Sequence, residues 1–329
     1  MFDHLLVMTD RNGLFEHADH DVPRIEHGYC TDDNARMLVV TAREPDEGVP
    51  ARLSRVALAF TMSSLAPDGR VHNRMDGTGR FIDQASNDDC WGRALWGLGV
   101  AATHHDDPEV RLAARASFGR AARQRSPWSR AMAFASLGAA AVASTSPDDE
   151  VALVLLQDAV EVIGTLPTGT WRWPEDRLRY ANAALAEATL SAGALLGDSA
   201  VLDRGLDMLE WLLARETTGG HLSVTGSGAD HVSLRPQFDQ QPIEVAAIAD
   251  ACWAAFALTG DRRWRDGLTL AAGWFEGEND VGAVMHDLST GGGYDGLTPT
   301  GPNLNQGAES TLAYISTRQR VHCLVGDPA

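Results

Sequence analysis

The chain has 329 residues, of which 44 % are hydrophobic, so it can bury a sizeable core and shows no compositional bias toward disorder. Its 45 acidic and 27 basic side chains give a formal net charge of −18, which disfavours nucleic acids and anionic membranes as partners. Four scattered cysteines, an N-terminus without a basic segment and the lack of a continuous apolar run of about 18 residues predict a cytoplasmic protein without disulfides or a membrane span.

A pair of helical patterns repeats along the chain. In each copy, a small Ala-rich segment that is apolar on nearly every side is followed by a short break and an amphipathic segment. In chain order the copies cover residues 33–65, 94–122, 131–163, 190–213 and 252–275. A helix that is apolar all round is buried, whereas an amphipathic helix lies at the surface. The repeat therefore predicts hairpins with one inner and one outer helix.

Six inner helices are predicted, beginning near Cys30, Cys90, Pro127, Ala181, Pro242 and Gly307. Only the first five are followed by a segment that can form an outer helix. We therefore predict a single all-α domain, residues 1–329, with the (α/α)6 toroid fold. Its twelfth helix is expected to be missing or to be supplied in part by the N-terminal segment.

Five long segments connect the hairpins, and each of them leads into an inner helix. They cover roughly residues 9–29, 66–89, 166–180, 216–241 and 276–306. Long irregular segments in a compact domain usually carry function. Because all five precede inner helices, they are predicted to meet at one end of the toroid, which we call the mouth.

Two successive acids stand at the start of each of the first two inner helices. Capping and the helix dipole explain a single acid at such a position, but not two acids at two equivalent starts that continue into buried sequence. Hydrolysis of a glycosidic bond needs a general acid and a second carboxylate that acts as nucleophile or base. We therefore predict that Asp32, Asp33, Asp88 and Asp89 are catalytic. The acid is assigned to the second pair and the base or nucleophile to the first, although the pattern supports the pairs more than their order.

The loops at the mouth also offer aromatic faces and hydrogen-bonding groups that suit a sugar. The predicted substrate-binding residues are Arg74, Asp83, Trp91, Trp128, Trp171, Asp239, Gln240, Gln241, Glu244, Tyr294, Asn305 and Glu309. No cofactor and no metal ion is predicted. A zinc site through Cys30 and Cys90 lacks a supporting ligand spacing, and a calcium site at Asp287 and Asp295 is the less favoured interpretation of a glycine-rich loop.

The segments Thr31-Asp32-Asp33-Asn34 and Asn87-Asp88-Asp89-Cys90 resemble the acidic pairs that begin inner helices in (α/α)6-toroid carbohydrate-active enzymes. The Asp-Asp pair is similar to glycoside hydrolase family 76, and an aspartate at the mouth is similar to the unsaturated glucuronyl hydrolases. Residues 28–36 and 305–313 resemble a domain attached to, or encoded near, bacterial glycosyltransferases. These resemblances imply a glycoside hydrolase for a bacterial oligosaccharide or glycan, with a glycosyltransferase as protein partner. The missing twelfth helix points to the other expected partner, a second copy of the chain.

Two other functions stay open from the sequence. Sugar epimerases and isomerases share the toroid, and the resemblance to them implies catalytic histidines on inner helices. Most histidines of this chain fall instead in the mouth loops, at His17, His20, His27, His72, His221, His231 and His286. The other alternative is a non-catalytic glycan-binding module that serves a glycosyltransferase.

Overall fold

The computed structural model describes residues 1–227 and 235–326. Within these ranges the helices are α1 (Asp3–Val7), α2 (Thr31–Thr41), α3 (Gly48–Ser63), α4 (Asp89–His104), α5 (Pro108–Ala121), α6 (Ser129–Thr145), α7 (Glu150–Ile163), α8 (Ala183–Leu196), α9 (Ser199–Glu216), α10 (Pro242–Thr259), α11 (Arg262–Phe275) and α12 (Ala308–Gly326).

Six of these helices form a closed inner ring. Helices α2, α4, α6, α8, α10 and α12 each pack against the next, and α12 packs against α2. Helices α3, α5, α7, α9 and α11 lie outside, each against the inner helix that precedes it. All six inner helices begin at the same end of the ring, which is the end predicted to be the mouth. The predicted (α/α)6 toroid is confirmed, and so is each predicted inner-helix start to within a few residues.

The place of the twelfth helix is filled in part by α1, which packs against α3 and α12. Leu5 is fully buried, and the imidazole Nε2 of the buried His4 lies 2.8 Å from the carbonyl oxygen of Gln306. The N-terminal segment therefore covers α12 where the repeat would place an outer helix. This agrees with the expectation that the N-terminal segment supplies part of the twelfth helix.

Inner helices α4 and α6 approach so closely that glycine is required between them. A Cβ added at Gly99 would lie 2.3 Å from the carbonyl oxygen of Gly138, and one added at Gly138 would lie 2.1 Å from that of Leu95. Both distances are far below van der Waals contact. This close approach explains why the inner segments are rich in alanine and glycine.

Helix α10 is long and apolar enough to meet the criteria for a membrane span by length and composition. Within the ring, 61 % of its 18 residues are buried, and it packs against α8, α11 and α12. A helix that is surrounded by other helices in a protein core can be as apolar as a membrane-spanning helix, because its neighbours bury it as lipid would.

Four antiparallel strand pairs shape the long loops at the mouth. They are β1 (Ala18–Asp19) with β2 (Val22–Pro23), β3 (Tyr29–Cys30) with β4 (Arg74–Met75), β5 (Thr217–Thr218) with β6 (His221–Leu222), and β7 (Gly296–Thr298) with β8 (Gly301–Asn303). The β3–β4 pair joins the first two loops at the start of α2. There the hydroxyl of Thr31 donates a hydrogen bond of 2.6 Å to the carbonyl oxygen of His72.

Candidate functional site

A cavity of about 420 Å³ opens at the mouth, where the inner helices begin. We call it the main cavity. Its polar lining consists of Glu16, His17, Asp32, Asp33, Arg36, Asp89, Arg93, Tyr180, Gln241, Asp295, Asn303, Glu309 and Ser310. These residues come from mouth loops and from the first two turns of α2, α4 and α12. The fold thus gathers Asp32, Asp33, Asp89 and Glu309 around one hollow.

Asp32 lies in the first turn of α2 and has a carboxylate oxygen, Oδ1, that is buried without a hydrogen-bond partner. Its nearest cation is Arg93, whose Nε lies 3.9 Å from that oxygen. Burial raises the pKa of Asp32, and the charge of Asp89 adds to this effect against the opposing charges of Arg93 and Arg36. About a fifth of the side chain (21 %) is exposed. Asp32 is therefore a carboxyl group that can hold a proton and still reach the cavity.

Asp33 and Glu309 share one guanidinium group. Arg36 donates hydrogen bonds of 2.7 Å from Nη2 to Asp33 and of 2.7 Å from Nη1 to Glu309. The thiol of Cys30 donates to the other oxygen of Asp33 at 2.9 Å, and only 3 % of the Asp33 side chain is exposed. Burial raises the pKa of Asp33 to about 6 despite the charge of Arg36. Asp33 is thus engaged within the protein, where it holds Arg36 in place.

Burial and the salt bridge with Arg36 shift the pKa of Glu309 in opposite directions. Burial alone would raise the pKa of Glu309, but the charge and the hydrogen bond of Arg36, together with the charge of Arg93, outweigh burial and lower the pKa. Glu309 therefore faces the main cavity as a carboxylate beside a fixed guanidinium. This pair can bind sugar hydroxyls with both acceptor and donor atoms.

Asp89 begins α4 and accepts a hydrogen bond from the phenolic hydroxyl of Tyr180, which lies in the loop before α8. That loop is held down by the buried Arg130 of α6. Its Nε donates to the carbonyl oxygen of Tyr180 at 2.5 Å, and its Nη1 donates to Glu175 at 2.5 Å. The guanidinium carbon of Arg130 also lies 4.9 Å from the centroid of the Tyr180 ring. Asp89 is therefore oriented by a neighbour that is itself fixed.

Asp88 does not enter the main cavity, although the sequence could not separate it from Asp89. It is exposed at the rim, where its Oδ1 accepts a hydrogen bond of 3.2 Å from Nε1 of Trp128. Successive residues of a helix point about 100° apart, so the two neighbours face different directions. The structure thus places Asp88 at the rim, outside the lining of the main cavity.

Two of the predicted substrate-binding residues belong to the core. Trp91 is fully buried, and its Nε1 donates to the carbonyl oxygen of Ala121 at 3.1 Å. Gln240 is fully buried as well, donating to Asp280 at 2.6 Å and accepting from Nε1 of Trp274 at 3.0 Å. Both predictions are wrong, because each side chain is buried in the core and is not exposed to a ligand.

Other predicted residues lie outside the main cavity. They are Arg74, Asp83, Trp128, Trp171, Asp239, Tyr294 and Asn305. Several of them shape the loops: Arg74 pairs with Glu16, the side-chain oxygen of Asn305 accepts from the amide of His20 at 3.0 Å, and Nε1 of Trp171 donates to the carbonyl oxygen of Glu175. Gln241 and Glu309 line the main cavity, and Glu244 lines a neighbouring one.

Arg36 and Tyr180 are not among the residues predicted from the sequence. Arg36 could have been found, since a buried arginine in an otherwise apolar helix, three residues after Asp33, needs an acidic partner. Tyr180 left no comparable signal, because its contact with Asp89 joins loops that are distant in the sequence. Of the histidines considered, His17 lines the main cavity, and His231 lies outside the described residues.

Glu16, Cys30 and Asp33 are the described side chains that come closest to a metal-binding group, with one ligand atom of each within 4.8 Å of the others. All three are already engaged, Glu16 with Arg74, Asp33 with Arg36, and the Cys30 thiol with Asp33. Burial raises the pKa of Cys30 well above its usual range, which opposes the thiolate that a metal would require. The cluster fits a hydrogen-bonded wall of the main cavity better than a metal centre.

No protein-family model matches the chain, and no curated protein sequence matches it. Solved structures do match in fold. A sugar epimerase from a ruminal bacterium aligns with a TM-score of 0.70 at 13 % identity, covering 100 % of this chain and 96 % of its own. A D-mannose isomerase aligns with a TM-score of 0.69 at 11 % identity, covering 97 % and 94 %.

Glycosidases match as well. An inactive variant of the α-1,6-mannanase GH76A of Salegentibacter sp., with two successive aspartates replaced by alanine, aligns in complex with α-1,6-mannotetrose. Its TM-score is 0.66 at 12 % identity, with coverage of 98 % of this chain and 96 % of its own. The cellulase Cel9M of C. cellulolyticium, in complex with cellobiose, has a TM-score of 0.65 at 10 % identity and covers 95 % and 88 %. The chain therefore shares the (α/α)6 toroid fold of these epimerases, isomerases and glycosidases.

Proposed function

We propose that the protein is a glycoside hydrolase in which Asp32 is the general acid and Asp89 is the nucleophile or base. The observation that supports this most strongly is that the two carboxyl groups come from neighbouring inner helices, face one cavity and have different environments. Asp32 is buried with a raised pKa, whereas Asp89 is oriented by the hydroxyl of Tyr180. Such a difference between two carboxyl groups separates an acid from its partner. The order is the reverse of the one assigned from the sequence.

In this mechanism, the proton of Asp32 passes to the glycosidic oxygen as the bond from that oxygen to the anomeric carbon breaks. Asp89 then either bonds to the anomeric carbon or takes a proton from the water that attacks it. In the first case, water later cleaves the glycosyl–Asp89 bond and returns a proton to Asp32. Arg36 and Glu309 bind hydroxyl groups of the sugar beside the reacting centre.

Isomerisation is the second candidate, because sugar epimerases and isomerases share the fold. Among the described residues that line the main cavity, however, the imidazole is that of His17, which comes from a loop, and the inner helices contribute carboxylates and arginines. The paired aspartates replaced in the inactive mannanase also support hydrolysis, since Asp32-Asp33 and Asp88-Asp89 are pairs of the same kind.

The experiment is to measure product release from a panel of aryl glycosides and oligosaccharides with Asp32→Asn, Asp89→Asn, Asp88→Asn and His17→Ala variants. Loss of a general acid or nucleophile lowers turnover by about 100-fold or more. We expect such losses for Asp32→Asn and Asp89→Asn, with Asp88→Asn as the matched control that stays close to wild type. All variants should keep the melting temperature of the wild type.

Three other outcomes would contradict the proposal. Full activity in both Asp32→Asn and Asp89→Asn removes the assigned pair. Release of an isomer that depends on His17 would make the protein an isomerase. Binding of a glycan without any product across the panel would make it a glycan-binding module.

The remaining sequence-based expectations stay predictions. They are the cytoplasmic location, the single domain over residues 1–329, a bacterial glycan as substrate, and a glycosyltransferase or a second copy of the chain as protein partner. Copurification with a glycosyltransferase encoded nearby would test the last of these directly.

A further inference from the structure

A second cavity, of about 320 Å³, adjoins the main cavity. It is lined by Arg177, Leu178, Arg179, Tyr180, Thr225, Gly226, Ser227, Gln241 and Glu244. Tyr180 and Gln241 line both cavities, so the two meet at these side chains. Because Tyr180 is also hydrogen-bonded to Asp89, the junction lies beside one of the two proposed catalytic carboxylates.

The two cavities differ in the charge of their walls. The main cavity is lined by two guanidinium groups, those of Arg36 and Arg93, and by six carboxylates, at Glu16, Asp32, Asp33, Asp89, Asp295 and Glu309. The second cavity is lined by two guanidinium groups, those of Arg177 and Arg179, and by the single carboxylate of Glu244. The chain has a net charge of −18, so a cavity wall with more guanidinium groups than carboxylates is a feature that a ligand can recognise.

The three charged groups of the second cavity are not equivalent. Arg179 is paired with Glu175 at 3.3 Å and with Asp176 at 3.4 Å. Arg177 is exposed and forms no ion pair with another residue of the part of the chain that the structure describes. Its guanidinium group is therefore available to a ligand.

Glu244 is directed into the protein. One oxygen accepts a hydrogen bond from the amide of Ala181, and the other accepts from the amide of Asn182 at 3.1 Å and from its side chain at 2.9 Å. Only 3 % of Glu244 is exposed. Its carboxylate thus holds the loop that carries Tyr180 and leaves the rim of the second cavity to Arg177.

We propose that the second cavity is a subsite for a second sugar unit that carries a carboxylate, with Arg177 as the group that recognises it. A guanidinium group binds a carboxylate through two parallel hydrogen bonds, which gives both affinity and orientation. A glycan that spans both cavities places the linkage between its two units over Tyr180 and Gln241, within reach of Asp89. The position of this linkage rests on the proposed function, whereas the preference for a uronate is a property of binding alone.

The test measures binding by calorimetry, with D-glucuronate and D-galacturonate as probes and D-glucose and D-galactose as their neutral counterparts. A charged hydrogen-bonded pair is expected to favour a uronate over its neutral counterpart by about tenfold. In Arg177→Gln the two should bind almost equally. Arg172→Gln is the matched control, because Arg172 is an exposed arginine of the same loop that pairs with Asp207 at 2.7 Å and does not line the cavity.

A crystal soaked with the preferred uronate should show its carboxylate at Arg177, and the cavity-filling variant Ser227→Trp should weaken binding. Equal binding of uronates and neutral sugars to the wild type, an undiminished preference in Arg177→Gln, or a uronate seated in the main cavity would overturn the proposal. The proposed function can fail separately, since uronate binding would then persist while Asp32→Asn and Asp89→Asn leave turnover unchanged.

Discussion

The hydroxyl of Tyr180 donates a hydrogen bond to a carboxylate oxygen of Asp89, although 91 residues separate them in the sequence. Asp89 begins α4 and Tyr180 precedes α8, with α6 between the two in the ring. Arg130, at the start of α6, contacts the ring and the backbone of Tyr180 and so links the three hairpins. The orientation of a proposed catalytic group therefore depends on a loop from another part of the toroid.

Tyr180→Phe should lower kcat/KM by about tenfold, because it removes one hydrogen bond to a charged group and keeps the ring on Arg130. The melting temperature should stay within about 2 °C of the wild type, as a loss at the surface has little effect on stability. Tyr294→Phe is the control, since Tyr294 does not line the main cavity. Unchanged kinetics in Tyr180→Phe would show that the bond has no part in turnover.

The proposed acid predicts an alkaline limit to activity. Burial raises the pKa of Asp32, so its proton is kept to a higher pH than in an exposed aspartic acid, and kcat/KM falls as the pH rises through the raised pKa. The titration of the Asp32 carboxyl carbon can be followed by NMR. In Asp89→Asn, the pKa of Asp32 should fall, because the negative charge that helps to raise it is lost. An Asp32 titration that is the same in both proteins would contradict this coupling.

Trp91 and Trp128 should respond to substitution in opposite ways. Trp91→Ala removes a fully buried indole and should lower the free energy of unfolding by about 3–5 kcal/mol. Trp128 is 61 % exposed, and Trp128→Ala should change that free energy by roughly 0.5 kcal/mol. Denaturant unfolding measures both. Equal losses of stability would contradict the assignment of Trp91 to the core and Trp128 to the rim.

A buried charge cluster lies beside a small cavity that shares Arg36, Arg93 and Glu309 with the main cavity. Asp250 of α10 pairs with Arg43 at 3.1 Å and with Arg320 at 2.5 Å, and Glu187 of α8 lines the same small cavity as Asp250. Burial, followed by the charge of Asp250, raises the pKa of Glu187. The folded protein therefore holds a proton at Glu187 at a pH where the unfolded chain has released it.

This difference makes stability depend on pH at Glu187. The stabilisation from the retained proton is fully present below the pKa of the unfolded chain and is lost as the pH rises through the folded pKa. Glu187→Gln keeps a neutral side chain at every pH, so its advantage over the wild type should grow with pH and reach on the order of 1 kcal/mol at alkaline pH. Thermal unfolding at pH 5 and pH 8 tests this, with the exposed Glu161→Gln as control. An equal effect of Glu187→Gln at both pH values would contradict the raised pKa.

The ring could be predicted from the sequence because its cause is local. Inner helices that pack as closely as Gly99 against Gly138 require small residues, and small residues leave a recognisable pattern. The acids at the mouth were predictable for the same reason, since they stand at the start of apolar helices. The distinction between Asp88 and Asp89 was not, because it depends on the rotation of α4 against its neighbours. The contact of Tyr180 with Asp89 was out of reach as well, since no spacing links two loops 91 residues apart.

The common direction of the six inner helices has an electrostatic consequence. Each helix N-terminus carries a partial positive charge of roughly half an elementary unit, and here all six point toward the same opening. The backbone amides of these six N-termini offset the mutual repulsion of the carboxylates at the mouth. If neighbouring inner helices were antiparallel, only three of the six N-termini would lie at the mouth. Asp32 and Asp89 would then lie at opposite ends of the molecule and could not line one cavity.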